Sequence, residues 1–163
     1  MKNLKRVYAV SLVTVLMVIA TTSFAQTGGE WSLGPRFGGS SGISLKKHNG
    51  SNKGAFELLA GWNFDKEVEG INLNILYEKL APLSGERLNA IFGAGAGLAV
   101  FGDEFRMGLA GIAGFDYRIS KFVNLQIDWQ PTWYFINGNE FSPMNAGFTI
   151  RYVLNNKKLR GKK

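Results

Sequence analysis

The chain has 163 residues, with 19 basic and 12 acidic side chains, one histidine, no cysteine and a formal net charge of +7. A lone histidine without cysteine excludes disulfide scaffolds and His/Cys metal clusters, so an exported form is held by burial and backbone hydrogen bonding. The basic excess excludes little else, because Lys157, Lys158, Arg160, Lys162 and Lys163 crowd the C-terminus and leave no basic surface for nucleic acid.

Lys2, Lys5 and Arg6 precede an apolar run from Val7 to Ala20, and Ser23-Phe24-Ala25 follows with small residues where a signal peptidase cuts. This order predicts a secretory signal peptide over 1–25, with Gln26 as the new N-terminus. The apolar run is short for a helical membrane span. Removing 1–25 leaves sixteen basic against twelve acidic residues, about +4. Residues 26–155 then read as one domain and 156–163 as a basic tail, either solvated or touching anionic lipid or cell wall.

Within the domain, residues repeat with a period of two. In 31–48 the odd positions Trp31, Leu33, Phe37, Ile43 and Leu45 are apolar. Gly38-Gly39-Ser40-Ser41-Gly42 has turn composition, which splits this run into two short strands; one long strand bent at the glycines is the alternative. In 55–64 Phe56, Leu58, Ala60, Trp62 and Phe64 oppose Glu57 and Asn63, and in 70–80 Ile71, Leu73, Ile75 and Tyr77 oppose Asn72, Asn74 and Glu78. In 88–101 Leu88, Phe92, Leu98 and Val100 oppose Asn89 and a row of Gly93, Gly95 and Gly97. In 105–118 Met107, Leu109, Phe115 and Tyr117 oppose Arg106, Asp116 and Arg118. Residues 123–135 alternate without a break, Val123, Leu125, Ile127, Trp129, Pro131, Trp133 and Phe135 against polar residues, and 144–154 set Phe148, Ile150, Tyr152 and Leu154 against Thr149 and Arg151.

A period of two marks strands that separate an apolar medium from a polar one. Strand runs this long, low overall charge and aromatics gathered at strand ends favour lipid over the interior of a soluble sandwich. The predicted fold is all-β: a closed antiparallel up-and-down transmembrane β-barrel of eight strands, the even count favoured in single-chain barrels. Tyr77, Tyr117 and Tyr152 fall at one rim and Trp62, Phe64, Trp133 and Phe135 at the other, as the two interfaces of a bilayer select.

The polar parity holds Arg36, Glu57, Glu78, Asp116, Asp128 and Arg151, joined by Arg106 and Arg118. An eight-stranded barrel is only wide enough for side chains to fill, so these charges are expected to pair in the lumen, and no large pore follows. If 137–142 closes a hairpin with Ile136 opposite Pro143, Asp128 faces Arg151 and they form an ion pair.

Other chemistry is weakly supported. Gly93-Ala94-Gly95-Ala96-Gly97 lacks the following helix a nucleotide loop needs, and its glycines are expected to make room for bulky lumen side chains. Asp65, Glu67 and Glu69 could meet a hard cation but read better as a solvated turn, so no metal site and no cofactor are expected. His48 is the sole histidine for a triad with Ser44, yet the two would sit about 13 Å apart along a strand. Glu57 and Glu78 could act as a carboxylate pair for acid–base catalysis, but nothing in the pattern admits substrate to them.

WSLGPRFGGSSGISLKK, LNAIFGAGAGLAVFG, GIAGFDYRI and VNLQIDWQPTWYFI resemble the small outer-membrane barrels of Gram-negative bacteria. The likeness is greatest to uncharacterised Bacteroidetes-type outer-membrane β-barrel proteins, with OmpX and the OmpA barrel as more distant analogues. It covers roughly residues 31–154 and rests on patterns, so it transfers no active site. It implies residence in the cell outer membrane as a monomer, contact with membrane lipid and lipopolysaccharide, and insertion by the barrel-assembly machinery. Two features depart from the family: the basic tail follows the last strand, and the candidate outer loops are short. The function expected is a non-enzymatic structural or interaction element. The alternatives are a barrel enzyme that modifies lipid A or phospholipid, and a small periplasmic barrel carrying an apolar ligand.

Overall fold

A computed structural model describes residues 29–49, 54–63, 70–84 and 87–154. The expected signal peptide, the tail 156–163, Phe64 and the acidic residues Asp65, Glu67 and Glu69 lie outside them. The described residues form β1 (Trp31–Gly38), β2 (Ser41–Asn49), β3 (Gly54–Asn63), β4 (Gly70–Ser84), β5 (Leu88–Phe101), β6 (Glu104–Arg118), β7 (Val123–Trp129), β8 (Thr132–Ile136), β9 (Glu140–Ser142) and β10 (Ala146–Val153).

These ten segments make eight staves. β7 and β8 are one stave, both paired with β6, and β9 and β10 are another. The interruptions adjoin: Gln130-Pro131 on one stave and residues 143–145 on the next. Pro131 has no N–H to give a ladder. Its carbonyl still accepts from Gly111 N at 2.8 Å, and Gln130 N donates to Asn145 O at 2.8 Å, so the wall stays hydrogen-bonded across the break. Every neighbouring pair is antiparallel, and the sheet closes where β1 pairs with β10, from Ser32↔Val153 to Gly38↔Gly147.

The glycine-rich stretch is a turn. Gly38 has φ 140° and passes the chain through Gly39-Ser40 into β2, whose register with β1 runs from Trp31↔Lys47 to Arg36↔Gly42. Eight staves, and not seven, is therefore the count. At the same end, Gly102 (φ 58°) occupies the first central position of the two-residue link between β5 and β6. That position in a tight hairpin calls for positive φ, which glycine adopts without strain.

The apolar parity faces outward. Ile71 and Ile127 are 63% and 61% exposed, while Gln126, one position from Ile127, is 1% exposed. No charge interrupts the outward face between Lys47 and Lys79, near one rim, and the opposite rim. Near the rim that carries Lys47 and Lys79, Phe56 packs on Tyr77 with ring centroids 5.0 Å apart, and Phe122 stacks on Tyr152 at 6.1 Å. There too Lys47 sits over the Trp31 ring at 5.0 Å. At the opposite rim Trp133 meets Phe135 edge to face at 6.2 Å, and its indole N–H donates to Asn139 Oδ1 at 3.2 Å. Staves of 14 and 15 residues at β4, β5 and β6 exceed the roughly 9–11 needed to cross a bilayer at a tilt.

The exterior yields a prediction. Ile127→Arg places a charge in the middle of the apolar belt and should cost about 2–4 kcal/mol of folding free energy in lipid vesicles, measured by denaturant titration, whereas Ile127→Leu should be nearly neutral. A small effect of the arginine would remove this face from lipid.

Candidate functional site

The inward positions, even on β1, β2, β4, β6, β7 and β8 and odd on β3 and β10, bring the polar side chains into a narrow lumen, where most are fully buried. Arg151 is the centre. Its guanidinium pairs with Glu57, its Nε donates to Ser44 Oγ at 2.6 Å, and its Nη1 donates to Gln126 Oε1 at 2.9 Å. Ser44 in turn donates to Glu57 Oε1 at 2.6 Å. Lys46 Nζ donates to Glu78 at 2.6 Å, Gln126 at 2.7 Å and Asp116 at 3.3 Å, and Asn124 binds the other Asp116 oxygen at 2.7 Å. Arg36 grips both oxygens of Asp128 at 2.6 Å. Gln126 Nε2 donates to Asp128 at 3.0 Å and to Glu57 at 3.3 Å, which links the three ion pairs into one column.

Such burial is tolerable only because each charge touches an opposite one. Removing water from a charge costs several kcal/mol, recovered only with close partners and further hydrogen bonds. Lys46 supplies the third cation, at 0% exposure, and was not singled out by the parity reading. The signal was present in the shared parity of Ser44, Lys46 and His48 on β2.

The other side of the lumen is apolar. Leu59, Leu76, Ile91, Ala110 and Ile112 form one buried cluster against β3–β6, with Leu80 packed on it. These residues occupy polar-parity positions, so alternation alone does not reveal them.

Several expectations need correction. Asp128 and Arg151 do not pair: Asp128 lies opposite Gly147 and binds Arg36, while Arg151 lies opposite Asn124 and binds Glu57. The expected register assumed strand structure resuming at Pro143. It resumes at Glu140, where β9 already pairs Tyr134↔Glu140, and the register moves with it. Arg106 and Arg118 belong to the rims and not to the lumen interior. Arg106 bonds Glu140 at 2.5 Å and Glu104 at 2.9 Å, and Arg118 pairs with Glu30. The glycine row faces inward for a different reason at two of its three positions. A Cβ on Gly93 or Gly95 would strike the β4 backbone at the Tyr77 or Ile75 carbonyl, and only at Gly97 would it meet lumen side chains, Asn74 and Thr132.

The Ser44–His48 arrangement does not assemble, and the Glu57–Glu78 pair is engaged by cations. Ser44 Oγ is committed to Glu57 and Arg151, with no bond to His48. Glu57 and Glu78 are brought together, their carboxyl groups in side-chain contact across the β3–β4 ladder, but each is also bound to a cation, Glu57 to Arg151 and Glu78 to Lys46.

No family model matches the chain, and no curated protein matches it. Among solved structures, the N-terminal β-barrel domain of Pseudomonas aeruginosa OprF superposes with a TM-score of 0.63 at 14% identity, covering 78% of this chain and 98% of that one. Neisserial surface protein A gives a TM-score of 0.45 at 13% identity, covering 77% and 92%. Ail, the attachment invasion locus protein of Yersinia pestis, gives 0.44 at 14%, covering 78% and 97%. The fold is that of the small eight-stranded barrel seen in the OprF N-terminal domain, and its exterior carries a continuous apolar belt.

The lumen geometry predicts which residues couple. In double-mutant cycles on folding stability, Arg36 with Asp128 and Arg151 with Glu57 should each show coupling of about 1–3 kcal/mol. Single removals should cost roughly 3–5 kcal/mol because a buried charge is left alone. Coupling concentrated between Asp128 and Arg151 would contradict the register described.

Proposed function

We propose that this chain is an integral outer-membrane protein whose lumen is closed to solutes of useful size and whose role is structural or interactive, without catalysis. The observation that carries the reading is the lumen filling itself: a column of paired charges on one side, from Asp116 to Arg36, and the cluster around Leu76 and Ile91 on the other. Eight strands leave an interior that side chains can fill. The belt of exposed aromatic and aliphatic residues supports contact with membrane lipid and the lipid portion of lipopolysaccharide, and a closed barrel of this kind would be inserted by the barrel-assembly machinery as a monomer. The non-catalytic part rests on the engagement of Ser44, Glu57 and Glu78 with cations and one another.

Purified protein should need micelles to fold, migrate anomalously in gels until boiled, and give no stable nanosiemens-scale openings in planar bilayers. Reproducible openings of that size would overturn the closed lumen. Lipid A mass spectra from cells with and without the protein should be the same, and a new acylation or deacylation product would overturn the non-catalytic role.

A further inference from the structure

The lumen column ends before it reaches the rim formed by the β1–β2, β5–β6 and β8–β9 connections. Above it lies a cavity of about 110 Å³, lined in part by Asn72 and Asn74 from β4 and Thr132 and Tyr134 from β8. All four have lumen parity and are nearly removed from solvent: Asn74 and Thr132 are 3% exposed, Asn72 and Tyr134 8%. Among the described residues none of these four side chains has a hydrogen-bond partner, and the Asn74 carbonyl oxygen is fully buried without one. The contrast with the column is sharp in chemical terms. In the column every charged group meets an opposite charge, although Arg36 Nε and Glu78 Oε1 are left without a hydrogen bond. Here Asn74 Oδ1 is buried without a partner, and the polar atoms of Asn72, Thr132 and Tyr134 open on the cavity beside it.

A buried polar atom without a partner is costly, so Asn74 Oδ1, beside a cavity into which further unengaged polar groups open, marks a place where something polar is bound. We propose that this mouth binds a neutral saccharide, one sugar ring at a time. The available groups are two amides and two hydroxyls, which together donate and accept, as sugar hydroxyls require. The Tyr134 ring adds an apolar wall for the C–H face of a ring. Charge argues against an anion: Arg106, which also lines the cavity and keeps only its Nε without a partner, is neutralised by Glu104 and Glu140, and the rim cluster is one negative charge in excess. The volume falls below the roughly 300–1,000 Å³ of drug-sized sites, which limits the ligand to a single ring or the end of a longer glycan. This gives the interaction reading a site, and it rests on the barrel geometry rather than on the closed lumen.

The test uses the full chain folded in a zwitterionic detergent without a sugar head group. Saturation-transfer NMR is run with glucose, galactose, mannose and N-acetylglucosamine, each also as its methyl glycoside, and with inorganic phosphate as the anion control. At least one neutral sugar should bind in the millimolar range or tighter, and phosphate should not. Tighter binding of the methyl glycoside points to a glycan terminus as the source, and tighter binding of the free sugar points to a monosaccharide. The affinity should fall at least tenfold in Asn74→Leu and in Tyr134→Phe. The second variant removes only a hydroxyl and guards against a folding failure of the first, and heat-modifiable migration checks both. Failure of every neutral sugar at tens of millimolar, equal binding by the variants, or preferential binding of phosphate would each overturn the proposal. A folded, non-conducting barrel that binds no sugar would leave the proposed function standing and remove only this site.

Discussion

Everything in this molecule follows from the need to leave no unpaired strand edge in a medium without water. Backbone groups exposed to hydrocarbon cost several kcal/mol each, so a sheet in lipid must close on itself. The seam between β1 and β10 makes the closure, continued at its ends by Leu154 N to Trp31 O at 2.7 Å and Gly39 N to Ala146 O at 2.9 Å. With eight staves, closure curves the wall tightly, and neighbouring backbones approach within the radius of a side chain. Gly34 shows the consequence: a Cβ there would run into the Ile150 carbonyl of β10, across the seam itself. Glycine on an inner face is thus a condition for closing the ring as much as a means of making space within it.

The same tight closure sets the chemistry inside. Half of each strand must point into a lumen with no room for bulk water, and the chain meets this in two ways. Facing β3–β6, aliphatic side chains such as Leu59, Leu76 and Ile112 pack against one another as in a soluble core. Facing β1, β2, β7 and β10, charges neutralise charges, with Gln126 accepting from Lys46 and Arg151 while donating to Glu57 and Asp128. A bifunctional amide is suited to this place, since one side chain satisfies donors and acceptors at once. A purely ionic column would leave lone pairs and N–H groups unmatched at the same positions.

What was legible in the sequence was facing; what was not was register and depth. Alternation in 123–135 assigns each residue to lipid or lumen because the side-chain period is two, and a misplaced register by an even number preserves that facing. Asp128 and Arg151 show the limit. Both point inward as their parity requires, yet each binds a cation or anion from a strand distant in sequence, because the hairpin turns at 137–139 rather than over 137–142. The lumen partners Arg36–Asp128 and Lys46–Asp116 span 92 and 70 positions in the chain, separations that only barrel closure brings into contact. The apolar sector was hidden for a different reason: Leu59, Leu76 and Ile91 occur at inward positions flanked by outward hydrophobics, so alternation is locally lost where the lumen itself is dry.

The distribution of irregularity along the barrel axis is coherent with that division. The ladders on β1–β6, regular apart from a register shift at Pro82–Ser84 near the lower rim, surround the lower column and the apolar cluster, where paired charges and packed side chains demand fixed geometry. The two stave breaks, at Gln130-Pro131 and at 143–145, fall together on adjacent staves and just below the mouth. Their polar side chains bridge upward: Asn145 accepts from Ser40 at 3.2 Å and donates to Gln130 at 3.2 Å, above the Arg36–Asp128 pair. Past this layer the hydrogen-bonded column stops, and Thr132, the first residue of the resumed stave, faces the cavity instead. A break in the ladder therefore marks the level at which inward groups cease to be spent on one another.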